Sequence, residues 1–195
     1  LNWQYDVPLT LLRDKFDAVD NHQYYDHPSY PEKAYSTPVQ YSQGSALAQM
    51  AFLPRGQMPT RIFGKPFFVT EFNYCHPNRD RHEGGPLIGA YAALQGWTAL
   101  YRFAWSHSAW GLENLRVPFV FDIGGDPLAQ LSDRISILMF RRGDIETAKE
   151  AFAYRVPENI FDLPGEPFSY PTAFQHLGLV ARIGSVAGNG RIPPG

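Results

Sequence analysis

Apolar, aromatic segments alternate with segments of helical pattern along much of this chain, and this alternation restricts the possible folds more than any other feature. Residues 16–25, 67–72 and 99–106 have the β-branched and aromatic content of buried strands. Before the third of these, Pro86 fits a first helical turn, and apolar residues recur at helical spacing as far as Trp97. Strand, helix and strand in series predict parallel strands joined by helical crossovers, so we expect an α/β fold.

Two further segments have helical features. Residues 45–53 predict a short helix that is closed by the proline that follows. Asp126 is a capping residue, Pro127 fits the first turn, and the apolar residues after them recur on one helical face. Gly143 offers a left-handed stop for that helix. Residues 28–43, which are rich in proline, tyrosine and serine, predict a long loop.

The helical and strand patterns become irregular towards the end of the chain. Prolines interrupt the sequence after residue 150, and the next apolar run is 177–183. We therefore predict that residues 1–148 form one α/β unit. Residues 149–195 are expected to be a linker and the start of an appended, β-rich domain.

Charge and cysteine content exclude several classes of protein. The formal net charge is −2, from 17 basic and 19 acidic residues without a long run of either sign, so neither nucleic acid nor a membrane surface is an expected partner. Cys75 is the only cysteine, which excludes a disulfide framework and a cysteine-rich zinc site.

Aromatic residues make up 15% of the chain. That content suits a sugar-binding surface, although a large aromatic core explains it as well.

Polar and aromatic side chains stand at the ends of the predicted strands. Glu71 lies at the end of the run 67–72, and a carboxylate is costly to bury there without polar partners. Strand periodicity places His22 and Tyr24 on one face, and a phenol can donate a hydrogen bond to a carboxylate. Trp105 offers a flat apolar face for a sugar ring. A solvated strand end, a satisfied histidine and ordinary aromatic packing explain the same residues without a function.

Histidines raise the possibility of a metal site. Five of them lie near the ends of predicted strands: His22, His27, His76, His82 and His107. A metal-dependent hydrolase is therefore one open interpretation. The His-Glu-x-x-His spacing is absent, however, and so are a Gly-x-Ser-x-Gly nucleophile turn and a phosphate-binding loop. We expect no metal and no cofactor.

The order of these motifs is similar to that of a known enzyme class. Residues 65–73, 89–97 and 100–108 resemble strands seven and eight of clan A glycoside hydrolases, and residues 20–24 resemble their sixth strand. These are retaining (β/α)8-barrel enzymes, with cellulase-like, mannanase-like and β-galactosidase-like members. The resemblance covers roughly residues 1–145. It implies the C-terminal portion, about strands six to eight, of a (β/α)8 barrel.

The resemblance also implies roles for individual residues. Glu71 matches the catalytic nucleophile, and Tyr24 matches the tyrosine that hydrogen-bonds to it. Four further residues match or neighbour positions that contact substrate: His22, Asn73, Trp105 and His107. The implied reaction is hydrolysis of an O-glycosidic bond by double displacement, with a carbohydrate as substrate and without a cofactor.

One catalytic group of the clan has no counterpart in this chain. The acid/base glutamate of the clan usually follows an asparagine, and the chain contains no Asn-Glu dipeptide. Three parallel strands also cannot close a barrel. We therefore expect that the N-terminal part of the barrel is missing and that these 195 residues alone are inactive. The alternatives are a non-catalytic carbohydrate-binding or degenerate glycosidase-like protein, and a metal-dependent (β/α)8 hydrolase.

Overall fold

The computed structural model describes residues 3–114, 119–164 and 168–191. The ranges discussed above also include short segments that lie outside the described residues: 1–2, 115–118, 165–167 and 192–195. Helices and strands follow one another along the described chain, and all strand pairs in the two sheets are parallel. The predicted α/β fold is therefore confirmed.

The first sheet has three parallel strands in chain order, β1 (Val19–Tyr25), β2 (Phe67–Tyr74) and β3 (Ala99–Arg102). The first strand begins three residues later than predicted, and the third ends four residues earlier. Among the described residues β1 and β3 are the edges of this sheet.

The described residues form six α-helices: α1 (Leu9–Arg13), α2 (Phe52–Gln57), α3 (Gly84–Gln95), α4 (Ala109–Glu113), α5 (Pro127–Ser136) and α6 (Thr172–Leu177). Short 3-10 turns cover Met58–Thr60, Arg81–Glu83 and Ile160–Asp162, and a π-helical turn, Ile137–Arg142, continues α5. The π turn ends at Gly143, whose φ of 85° is left-handed, as the sequence predicts. No helix among the described residues is long and apolar enough to cross a membrane.

The position of α2 differs from the prediction. The helix was expected over residues 45–53 with Pro54 as its stop, but it begins at Phe52 and contains Pro54. The backbone of Ala51 is left-handed, with φ 53°, so a right-handed helix cannot continue through it and α2 begins at the next residue. Pro54 then lies in the first turn, where a backbone N–H has no intrahelical partner to lose. The prediction was wrong because proline stops a helix only beyond its first turn.

A register irregularity sets the face on which the polar residues of β2 lie. Val19 pairs with Phe67, but the offset changes by one residue between Asn21 and His22, so that His22 pairs with Glu71. Val69 is fully buried and Phe72 nearly so, both in the main core, with exposed Thr70 and half-buried Glu71 between them. A bulge of this kind re-aims side chains, and here it keeps the carboxylate out of the core.

Glycines bring α3 and α5 into close contact. A Cβ atom on Gly85 would stand 1.7 Å from the carbonyl oxygen of Ser132, and one on Gly89 would stand 2.6 Å from the Cα of Ser136. The backbone N–H of Gly85 donates to the hydroxyl of Ser132 at 2.7 Å. No side chain fits between the two helices here, so α5 packs directly against α3.

The later part of the chain adds two more parallel strands, β4 (Ala151–Val156) and β5 (Arg182–Ala187). The run 177–183, expected to be one apolar segment, instead spans the end of α6 and the start of β5. Ile183 is fully buried in the same hydrophobic core as Val69. The segment proposed from the sequence as a linker and a new domain therefore packs into the core of the preceding residues.

Hydrogen bonds join the same two parts of the chain. The buried side-chain amide of Gln95, the last residue of α3, donates to the carbonyls of Gly178 at 2.8 Å and Ala181 at 2.6 Å. Its oxygen accepts from the backbone N–H of Ile183 at 2.9 Å. One glutamine therefore fixes the turn that leads into β5.

Candidate active site

Tyr24 and Glu71 come together in the carboxyl-terminal halves of β1 and β2, and β2 continues beyond Glu71 to Tyr74. The hydroxyl of Tyr24 donates a hydrogen bond to Oε2 of Glu71, with 2.7 Å between the two oxygens. The strands are parallel neighbours, so residues near their carboxyl ends reach the same edge of the sheet. This is the edge at which ligands bind in parallel α/β proteins.

Burial determines the protonation of the tyrosine. Tyr24 packs against the ring of Phe121, with 4.8 Å between centroids, and its own side chain is largely buried. This burial, followed by the hydrogen bond to the Glu71 carboxylate, raises the pKa of Tyr24 well above that of a free phenol. The phenol therefore stays protonated and acts as a hydrogen-bond donor to Glu71.

The ring of His22 lies between two carboxylates. Its Nδ1 is 3.3 Å from Oε2 of Glu71, and its Nε2 is 3.4 Å from Oδ2 of Asp20. Thr70 joins the second side, because its hydroxyl is 2.8 Å from His22 Nε2 and donates to Oδ1 of Asp20 at 2.7 Å. Asp20, His22 and Glu71 thus form a continuous polar chain along the two strands.

A cavity of about 400 Å³ opens beside the carboxylate. Its walls are largely aromatic, and the described lining residues are Trp3, Tyr24, His27, Tyr35, Glu71, Phe103, His107, Phe119 and Phe121. Trp3 stacks on Tyr24 with 5.4 Å between ring centroids and 15° between planes. Among these lining residues Glu71 is the only carboxylate. Aromatic faces with a few convergent polar groups are typical of sites for small polar ligands such as sugars.

Asp122 fixes the orientation of His107 at the edge of this cavity. The Nδ1 atom of His107 is in hydrogen-bond contact with Oδ1 of Asp122, and the backbone N–H of His107 donates to the same oxygen at 3.1 Å. Asp122 is itself almost completely buried. The contact leaves Nε2 as the ring nitrogen that is available to a ligand.

Comparisons with protein-family models, with curated proteins and with solved structures found no match to this chain. The residues and their geometry therefore have to support any functional proposal.

His107 lines the cavity as predicted, but three other residues predicted to contact substrate lie outside its described lining: His22, Asn73 and Trp105. Of these three, His22 still contacts Glu71. Trp105 is 57% exposed beyond the end of β3, where strand alternation no longer sets the direction of a side chain. Phe103 lines the cavity instead. Asn73 is buried and structural: its amide donates to the carbonyl of Phe121 at 2.7 Å, and its oxygen accepts from Nε of Arg102 at 3.1 Å.

Several lining residues were not singled out from the sequence. They come from loops that have no periodic pattern: Trp3, Tyr35, Phe119 and Phe121. Asp20 did carry a signal, because strand periodicity places it on the face of His22 and Tyr24. His27 was considered only as a possible metal ligand. Within the described part of the chain, no group of three or more His, Cys, Asp or Glu side chains is arranged to hold a metal ion.

Proposed function

We propose that this chain forms part of a retaining glycoside hydrolase and that Glu71 is its nucleophile. The observation that carries the proposal is the 2.7 Å hydrogen bond from Tyr24 to Glu71, in the carboxyl-terminal halves of two parallel strands and inside an aromatic cavity. A neutral phenol that donates to one carboxylate oxygen holds the carboxylate in a fixed direction and favours its ionised form.

The two oxygens of Glu71 have different tasks in this mechanism. Oε2 accepts from Tyr24 and faces His22, so we assign the attack to Oε1. Oε1 forms a bond to the anomeric carbon while the bond from that carbon to the leaving oxygen breaks. A second carboxylic acid gives its proton to the leaving oxygen. As a carboxylate it then takes a proton from water, and the water oxygen displaces Glu71 from the sugar.

The second carboxylic acid must come from residues other than those described around the cavity. Retaining enzymes hold their two carboxyl groups about 5–5.5 Å apart, and Glu71 is the only carboxylate in the described lining. We place the acid/base in an N-terminal part of a (β/α)8 barrel to which β1, β2 and β3 contribute strands six to eight. Residues 149–195 would then begin an accessory region that packs on the barrel.

Exposed apolar surface is consistent with further strands and helices beside β3. Leu131 and Ile137, on α5 and on the π turn that continues it, are more than half exposed. A cavity of about 710 Å³ lies between this helical segment and β3. Arg102 and Trp97 are among the lining residues of this cavity. Nη2 of Arg102 and Nε1 of Trp97 are buried without a hydrogen-bond partner.

Covalent trapping in the full-length protein tests the role of Glu71. A 2-deoxy-2-fluoro glycoside with a good leaving group slows the second step, so the glycosyl-enzyme accumulates. We expect the glycosyl group on the peptide that contains Glu71, and we expect Glu71→Gln to lower turnover by several orders of magnitude. The matched control is Glu146→Gln, which changes an exposed glutamate far along the sequence and should leave turnover intact. A label on another residue, or full turnover in Glu71→Gln, would refute the assignment.

The second candidate function is non-catalytic carbohydrate binding, which the single carboxylate in the described lining favours. Measurements of oligosaccharide binding and of hydrolysis by the full-length protein separate the two candidate functions. Saturable binding of an oligosaccharide without hydrolysis by the full-length protein would indicate a binding protein. Hydrolysis that a chelator abolishes and added zinc restores would instead indicate the metal-dependent alternative.

A further inference from the structure

A second cavity of about 380 Å³ lies next to the one at Glu71. The segment that follows β3 and the helix α4 form most of it. Its described lining includes Ser106, His107, Ser108, Trp110, Phe119 and Asp122. Both cavities fall within the size range of protein ligand sites, which begins at about 300 Å³.

His107 and Phe119 line both cavities. Their rings meet edge to face, with 4.9 Å between centroids and 69° between planes. The side chains of His107 and Phe119 therefore form the boundary between the two cavities. A ligand that extends past these rings from the Glu71 cavity enters the second cavity directly.

The second cavity combines an apolar face with polar groups in fixed positions. The indole of Trp110 is 56% exposed, and the ring of Phe119 lies in the lining as well. The hydroxyl of Ser106 donates to the carbonyl of Ser108 at 2.8 Å, and the hydroxyl of Ser108 accepts from the backbone N–H of Gly111 at 3.1 Å. A sugar ring has the matching surface, with an apolar face and a rim of hydroxyl groups.

We propose that the second cavity is a binding subsite for the sugar unit adjacent to the one that reacts at Glu71. The substrate is then an oligosaccharide or polysaccharide rather than a single sugar on a small leaving group. His107, oriented by Asp122, presents Nε2 at the junction of the two units, and Trp110 packs against the second ring. This subsite rests on the proposed function.

Two kinds of substrate separate the subsite from the reaction itself. The β-fluorides of glucose, galactose and mannose fill only the Glu71 cavity, because the leaving group is a fluoride ion. The matching β-1,4-linked trisaccharides also fill the second cavity. Trp110→Ala in the full-length protein should lower kcat/KM for the cleaved trisaccharide about tenfold, mainly through KM, since burial of one aromatic side chain is lost. Hydrolysis of the fluoride should stay within twofold, which also shows that the variant folds.

The control is Phe161→Ala, which removes a 72% exposed aromatic side chain that is in the described lining of neither cavity and should change neither rate. An equal effect of Trp110→Ala on fluoride and trisaccharide, or no effect on either, would overturn the subsite while Glu71→Gln still tests the nucleophile. If the wild type cleaves neither substrate, hydrolysis of these three sugars is excluded, and calorimetric binding of the trisaccharides decides the subsite. Binding that Trp110→Ala weakens supports it, and absence of binding overturns it.

Discussion

Tyr24 donates its phenolic hydrogen to Oε2 of Glu71 across two adjacent parallel strands. The shift in strand register places Glu71 opposite His22, so that the phenol two residues further along β1 reaches the carboxylate. Phe121 and Cys75 pack behind the tyrosine and keep its ring in place. The hydrogen bond is thus a product of the register, the bulge in β2 and the aromatic packing together.

Tyr24→Phe keeps this packing and removes only the hydrogen bond. A hydrogen bond to a charged group contributes about 1.5–3 kcal/mol, so we expect turnover in the full-length protein to fall about 10- to 100-fold. Steady-state kinetics on a cleaved oligosaccharide measure the effect. Tyr91→Phe, on α3 away from the cavity, is the matched control and should keep wild-type turnover. Unchanged turnover in Tyr24→Phe would show that the phenol does not assist Glu71.

The sequence predicted the parallel strands and the capping of α5 because both depend on local residue types. Asp126 accepts from the backbone N–H groups of Leu128 and Ala129 at 3.1 and 3.3 Å, as its position before Pro127 indicates. The bulge in β2 has no such local signal. Regular alternation from Phe67 through Val69 would direct Glu71 into the core, and only the pairing with β1 reveals the shift.

The lining of the cavity was harder to predict for a related reason. Strand alternation orients side chains only within a strand, and β3 ends at Arg102. Phe103 and Trp105 both follow that end, and only tertiary contacts decide that Phe103 lines the cavity. The packing of Ile183 against the first sheet is likewise non-local, since more than a hundred residues separate it from Val69.

The ion pair between Arg81 and Asp126 predicts a specific pH dependence of stability. Burial alone would raise the pKa of Asp126, but hydrogen bonds from the Arg81 guanidinium and the backbone N–H of Ala129 outweigh it and hold this pKa below the ordinary value of 3.8. A group whose pKa is lowered by folding stabilises the folded state above its unfolded pKa and loses that effect as pH falls.

Asp126→Asn tests this dependence because asparagine also caps helices. We expect the variant to be less stable than the wild type by about 2 kcal/mol at pH 7, the range for hydrogen bonds to charged groups. The difference should shrink as pH falls below about 4. Urea unfolding between pH 3 and pH 7 measures it. Asp144→Asn removes a carboxylate from a solvent-exposed ion pair with Arg142, which solvent screens, and should change stability far less than Asp126→Asn at pH 7. A difference for Asp126→Asn that does not vary with pH would contradict the assignment.

The thiol of Cys75 should report global unfolding. Cys75 is fully buried behind Tyr24, and this burial raises the pKa of the thiol far above its ordinary range. We expect a thiol-specific reagent to react with none of it in the native protein and with one equivalent after unfolding. Measured against denaturant concentration, the labelling should follow the loss of circular dichroism. Rapid labelling of a fully folded protein would place the thiol at the surface.

Ile183 tests whether the later part of the chain belongs to the same cooperative unit as the first sheet. Its side chain is fully buried in the core that contains Val69 and Phe67, although the sequence predicted a boundary near residue 148. Ile183→Ala should therefore destabilise the whole protein by about 2–5 kcal/mol, the usual effect of this truncation in a core. Val180→Ala, three residues away and 74% exposed, should change stability by less than about 0.5 kcal/mol. Urea unfolding followed by both circular dichroism, which reports on all strands including β4 and β5, and Cys75 labelling should show one shared transition that shifts in Ile183→Ala. If Ile183→Ala melts β4 and β5 in a separate early transition while Cys75 stays protected, these strands form an independent unit and the shared core does not couple them.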